Sequence, residues 1–248
     1  MSINIEILKF MNIVKKKKKV MNMQYDLNIK DLKIVVFDWD NTLAESRTAL
    51  VYAVNQVLQE YGLQDWEIEK QKRNNALSFK DNFVNIFGKN AQKAYEKYRN
   101  IYLQNVSKLI TAFPKTHSVL QFFKDHNISL MIMSNKERIL LEYELPLLFN
   151  PKLFDNVVCG HEAIKDKPFA EHLFWTLKDV ILPNDISPES VWVVGDSPQD
   201  SRCAQNAGAQ AIRIGSSIWQ DEDENIDDVW FFDSFVDFYD SLLLSNPK

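Results

Sequence analysis

Apolar residues follow two spacings along this chain. Runs that are apolar at nearly every position stand at Lys33 to Asp38, Ile128 to Ser134, Val191 to Gly195 and Ala209 to Ile214, with a weaker run at Phe154 to Cys159. Such runs are predicted to be strands, and the first reads as buried on both faces, as in a parallel sheet. Between them, Ser118 to Lys124 and Ala170 to Val180 carry apolar residues at the helical period. Strand–helix alternation predicts an α/β fold, a Rossmann-like parallel sheet with helices on both faces. Pro168 suits the first turn of the helix that follows it.

From 45 to 113 the alternation stops and only helical periodicity remains. Ala49, Tyr52, Ala53, Val57 and Leu58 form one face. Phe83, Ile86 and Phe87 form a second, with Gly88 as its stop, and Ala94, Tyr95, Tyr98, Ile101 and Tyr102 form a third. This predicts an all-helical insert in an α/β core made of residues 31–44 and 114–248. The insert carries ten Lys/Arg against seven Asp/Glu, and a mildly cationic surface attracts anions.

Residues 1–30 read as a basic, disordered leader. Five lysines, Lys15 to Lys19, follow an apolar stretch, the reverse of the order in a signal peptide, and Met21 and Met23 are alternative start positions. Near the other end, Asp221 to Glu224, Asp227 and Asp228 read as solvated surface. Val229 to Phe232 then reads as a short buried strand. Ser234 with Asp237 resembles a capping box, ahead of a helix whose core face is Phe235, Phe238, Tyr239, Leu242 and Leu243.

The 248 residues suffice for one or two domains, and the net charge of −5 is a poor footprint for nucleic-acid binding. Two distant cysteines and four scattered histidines argue against a zinc cluster or a disulfide scaffold. No run reaches the roughly 18 apolar residues of a membrane span. The expectation is a cytoplasmic protein. Six glycines, where average usage of about 7% gives roughly seventeen, argue against a glycine-rich phosphate cradle.

Candidate chemistry gathers at the strand ends, where open parallel sheets bind ligands. The first strand ends in Asp38-Trp39-Asp40-Asn41-Thr42, the second in Ser134-Asn135-Lys136, and the strand at 191–195 in Gly195-Asp196-Ser197-Pro198-Gln199-Asp200. Lys165-Asp166-Lys167-Pro168 lies between the last two. Two carboxylates about 4 Å apart repel by roughly 4 kcal/mol at an effective dielectric of 20. If Asp38, Asp196 and Asp200 converge, they require a cation, and an oxygen-only ligand set suits Mg²⁺. Acids, magnesium, a lysine and a serine hydroxyl make a phosphoryl-transfer constellation, in which an aspartate can be the covalent nucleophile.

These four motifs, in this order, resemble those of the haloacid dehalogenase superfamily in its phosphatase branch, over about residues 33 to 215. The helical insert resembles the helical cap of phosphoglycolate-phosphatase-like members. The resemblance implies a Mg²⁺-dependent phosphatase acting on a small phosphorylated metabolite through an aspartyl-phosphate. It implies that Asp38 attacks phosphorus, and that Asp40 protonates the leaving oxygen and then activates water. Ser134 hydrogen-bonds the phosphoryl group, and Lys167 neutralises charge on it and on Asp38. Asp196, the Asp38 side chain and the backbone carbonyl of Asp40 bind the metal, with Asp200 beside them or through water. Thr42 fixes the loop after the nucleophile, Asn135 lines the site, and Arg47, Lys72, Arg73, Asn74 and Arg99 are candidate substrate contacts in the cap. The lysine motif departs from the usual K-P-x-P, reading Lys167-Pro168-Phe169-Ala170, and Lys165 competes for the role. Asp40 argues against a true dehalogenase. A phosphomutase of the same family, or a non-catalytic phosphate-binding relative, stands as the alternative.

Overall fold

The computed structural model describes residues 25–66, 79–215 and 229–247. Six parallel strands form one sheet in the order β5-β4-β1-β6-β7-β8. They are β1 (Ile34–Phe37), β4 (Ser129–Met133), β5 (Asn156–Val158), β6 (Val191–Gly195), β7 (Gln210–Ile214) and β8 (Val229–Phe232). Each strand expected from the apolar runs is present. β1 lies inside the sheet, between β4 and β6, and all four of its residues are buried. Ile34 and Val36 pack into one layer with Leu173, Leu177, Cys203 and Ala204, while Val35 and Phe37 pack into the other with Phe123 and Phe238. Period-two alternation thus serves two cores at once.

The inserted segment holds α1 (Arg47–Glu60), α2 (Phe79–Phe87) and α3 (Ala91–Leu109). Its ends are tied by a feature without sequence warning, an antiparallel pair of two-residue strands, β2 (Ala44–Glu45) and β3 (Thr111–Ala112). On α1 the buried face is Ala49, Ala53, Val54, Val57 and Leu58, whereas the expected Tyr52 is 43% exposed. The remaining helices are α4 (Thr116–Asp125), α5 (Arg138–Leu148), α6 (Ala170–Leu177), α7 (Pro198–Asn206) and α8 (Phe235–Ser245).

Four expectations change. The helix predicted over 170–180 stops at Leu177, and Val180 is exposed in the turn beyond it. Pro168 precedes that helix, because a turn closed by Phe169 N–H to the Asp166 carbonyl at 3.1 Å comes first and Phe169 is the N-cap. Leu243 faces outward, although Ser234 caps α8 as expected. Residues 25–30, assigned to the leader, belong to the fold: Leu27 and Ile29 are buried, Asn246 bonds both backbones, and Tyr25 stacks on Trp230. The period-two spacing of Tyr25, Leu27 and Ile29 carried that signal. Residues 1–24, with the lysine run, and the acidic stretch 221–228 lie outside the described residues. Among the described residues, no helix is long and apolar enough to cross a membrane.

Leu27→Ala is expected to lower the unfolding free energy by about 2–4 kcal/mol, the usual cost of truncating a fully buried leucine. Urea unfolding measures this, and a near-zero change would detach residues 25–30 from the core.

Candidate active site

β1, β4 and β6 release the chain at the same edge of the sheet, and polar residues follow their apolar runs immediately. After Asp38 the chain folds back tightly: Asn41 takes a left-handed φ of 60°, which asparagine tolerates, and its N–H donates to the Ala44 carbonyl at 2.7 Å. This turn brings the Thr42 hydroxyl onto Asp38 Oδ2 at 3.1 Å and the Asn41 amide onto Asp196 Oδ2 at 2.6 Å. After β6, Ser197 and Asp200 form a reciprocal capping box at the start of α7, which fixes the Asp200 carboxylate over the strand end. A Cβ at Gly195 would run into that carboxylate.

Lys167 joins these loops. Its side chain is only 4% exposed, and Nζ reaches Asp38 Oδ1 at 2.5 Å and Asp200 Oδ1 at 2.7 Å. Its backbone is clasped by Asn135, whose amide donates to the Lys167 carbonyl at 3.0 Å and whose oxygen accepts from its N–H at 3.1 Å. His172 Nδ1 accepts from the same N–H. Burial and the Lys167 charge lower His172 to about 3, so the ring stays neutral.

Electrostatics in this cluster are severe. Burial raises the Asp38 carboxyl to about 7, with Lys167 opposing and Asp200 and Asp40 adding to the rise. Burial also lifts Asp196 well above its usual value, reinforced by Asp38 and Asp200. Burial alone would lower Lys167, but Asp200 and Asp38 outweigh it and keep the ammonium charged. Asp38, Asp196 and Asp200 each offer an oxygen, and these oxygens lie within 4.8 Å of one another. Three buried carboxylates share one ammonium, so the set is hard, oxygen-only and net negative, and these donors fit Mg²⁺.

A second polar centre adjoins the first. Asp40 Oδ1 accepts from the Ser46 hydroxyl and from Lys136 Nζ, the latter at 2.7 Å. Lys136 also pairs with Glu144 at 2.8 Å and reaches the Tyr102 hydroxyl at 3.1 Å. Glu144 is fully buried and accepts from the indole N–H of Trp39 at 2.6 Å. Burial would lower Lys136, but Asp40 and Glu144 hold it well above its ordinary value.

Residues 35–214 match the sequence profile of the haloacid dehalogenase-like hydrolases. The chain belongs to that family. It is 25% identical over 187 residues to pyrophosphatase PpaX of Oceanobacillus iheyensis, covering 75% of this chain and 85% of the relative. It is also 25% identical over 192 residues to phosphoglycolate phosphatase of Aquifex aeolicus, covering 72% and 83%. Among solved structures, CbbY from Rhodobacter sphaeroides in complex with phosphate superposes with a TM-score of 0.69 at 18% identity, covering 84% of this chain and 96% of that one. A haloacid dehalogenase-superfamily hydrolase from Ehrlichia chaffeensis gives 0.57 at 23% identity, covering 88% and 99%. These two likenesses are likenesses of fold.

In this hydrolase, Asp38, Asp196, Asp200 and Lys167 come together as the motifs suggested. Lys165 lies outside the cluster, half-exposed and paired with Glu171 at 2.8 Å. Ser134 sits buried at the end of β4, its oxygen accepting from the Lys136 N–H at 3.2 Å. Asn135, expected to line the site, holds the backbone of Lys167, and Thr42, expected to fix the loop after the nucleophile, holds Asp38. The Asp40 carboxylate turns to Ser46 and Lys136 and stays out of the trio of acids. Arg47 opens α1 with a buried Nε that has no hydrogen-bond partner among the described residues, and Arg99 pairs with Glu137 at 3.8 Å. Lys72, Arg73 and Asn74 lie outside the described residues. Sequence reasoning gave no role to Lys136, Glu144, Ser46 or His172. Glu144 had a signal, since it stands on the apolar face of Leu140, Leu141 and Leu145.

The Asp38 carboxyl carries a value of about 7 in the folded protein against 3.8 as its ordinary one. The native state binds the extra proton between those values, so this contribution to stability is full below the lower one and lost as pH rises through the upper. In EDTA, the melting temperature is expected to fall between about pH 4 and 7 more steeply in the wild type than in Asp38→Asn. Equal slopes would mean that Asp38 ionises at its ordinary pH.

Proposed function

We propose that this chain is a Mg²⁺-dependent phosphatase that hydrolyses a small phosphate monoester through an aspartyl-phosphate. The observation that carries the reading is the buried Asp38 carboxylate, held by Lys167 and set among Asp196 and Asp200. The names of the relatives, a pyrophosphatase and a phosphoglycolate phosphatase, support a small and strongly anionic substrate.

In this reading an Asp38 oxygen attacks phosphorus as the bond to the leaving oxygen breaks. Asp40 donates a proton to the leaving oxygen, then accepts one from the water that hydrolyses the acyl phosphate. Lys167 offsets negative charge on Asp38 and on the phosphoryl oxygens. Ser134 donates its hydroxyl hydrogen, which has no acceptor among the described residues, to the transferring group. Asp38, Asp196 and the Asp40 backbone carbonyl would hold Mg²⁺, with Asp200 alongside. The metal would supply positive charge that lets two anions approach. The helices of the insert act as a cap over the site, and Tyr102 of α3, bonded to Lys136, supports that placement.

The protein is expected to hydrolyse p-nitrophenyl phosphate with Mg²⁺, and EDTA or Asp38→Asn should abolish turnover. Lys167→Met should reduce kcat/KM by about 10²–10³-fold, the scale of losing one charge-stabilising donor. A panel of phosphoglycolate, pyrophosphate, sugar phosphates and nucleotides then ranks substrates. Metal-replete, folded protein that is inert across the panel would overturn the reading.

A further inference from the structure

Lys136 is a buried cation outside the roles assigned so far. Its ammonium carries three protons, and three acceptors surround it: Asp40 Oδ1 at 2.7 Å, Glu144 Oε1 at 2.8 Å and the Tyr102 hydroxyl at 3.1 Å. The side chain is 7% exposed, and the Tyr102 ring lies 4.9 Å from Nζ. Lys136 donates hydrogen bonds to Asp40 and Tyr102 and is ion-paired with Glu144, so its charge is already matched by two carboxylates within the protein. Its own position is fixed from below, because Glu144 is anchored by the indole of Trp39. Trp39 and Asp40 are neighbours in sequence, so the four residues close a ring: backbone from Trp39 to Asp40, then Lys136, Glu144 and back to Trp39.

The ring acts on one oxygen of Asp40. Ser46 and Lys136 both donate to Oδ1, while Oδ2 accepts no hydrogen bond among the described residues. We propose that Lys136 is a positioning residue for Asp40, pinning Oδ1 so that Oδ2 is the atom that gives its proton to the leaving oxygen. This rests on the phosphatase reading above. In the step concerned, the Asp38–phosphorus bond forms, the bond from phosphorus to the leaving oxygen breaks, and the Asp40 proton moves to that oxygen.

The test uses leaving groups of different basicity. A p-nitrophenolate leaves without a proton, whereas an alkoxide needs one, and kcat/KM reports the step in which the leaving group departs. For Lys136→Met, kcat/KM on an alkyl phosphate such as glycerol phosphate is expected to fall about 30-fold or more, a part of the roughly 10²–10⁴-fold that general acid catalysis supplies in full. On p-nitrophenyl phosphate the loss should stay within about threefold, since little proton transfer is needed there. Lys136→Met leaves Glu144 buried without its partner, so Lys136→Met/Glu144→Gln provides a second variant in which no buried charge is stranded. It should show the same selective loss. Equal losses on the two esters, in the variant that folds, would overturn the proposal and make Lys136 a substrate contact or a purely structural residue. Equal retention of both activities would overturn it too. A wild type inert on both esters would instead bring down the phosphatase reading itself.

Discussion

One ammonium group placed among three carboxylates organises the sheet edge. Lys167 is removed from water, and so are Asp38, Asp196 and Asp200. Each group would be costly to bury alone, and the attraction of Lys167 for Asp38 and Asp200 offsets that cost only at close range. The geometry of three separate loops follows from this requirement. The turn after β1 holds Asp38 through Thr42, the capping box after β6 holds Asp200 through Ser197, and Asn135 holds the backbone of Lys167. The apolar strands beneath need only deliver these loops to one edge. Their alternation does so, because every residue of β1, and Val191 to Val194 of β6, packs into one of two cores.

How far this was legible in the sequence differed by level. Strands buried on both faces leave uninterrupted apolar runs, and all six strands were readable from them. The acids and the lysine were readable because polar residues directly after such runs stand at strand ends. Boundaries were harder. The end of α6 is set by a turn, and the start of that helix by the hydrogen bond from Phe169 to Asp166, neither of which has a period. β2 and β3 consist of two residues each, too few to show any pattern, and they pair across the whole length of the insert.

Side-chain partnerships were the least legible part. Thr42 was read as fixing the loop after the nucleophile and Asn135 as lining the site, but the groups they bond, the Asp38 carboxylate and the Lys167 backbone, could not be read from the sequence. Lys136 was visible beside Ser134 and Asn135, but its role depends on Glu144, eight residues further on, and on Tyr102, far upstream in α3. A polar network of this kind is specified by which faces meet, and facing is a property of the folded chain. An acid on an apolar helix face is the trace it leaves. Glu144 among the leucines of α5 is that trace here.

Gly195 shows how the same crowding bears on inheritance. Every other amino acid carries a Cβ, and at this position that atom would meet the Asp200 carboxylate. Gly160 is similar, with the Asn135 carbonyl 2.5 Å from where its Cβ would stand. Drift at either site cannot proceed by one tolerated exchange. At Gly195 the Asp200 side chain, which holds Lys167, would have to change first, whereas at Gly160 the obstruction is backbone, which no exchange of the Asn135 side chain removes. In a chain with six glycines, two are therefore closed to neutral substitution, and only the loop of Gly195 has a side chain opposite it whose change could open the way.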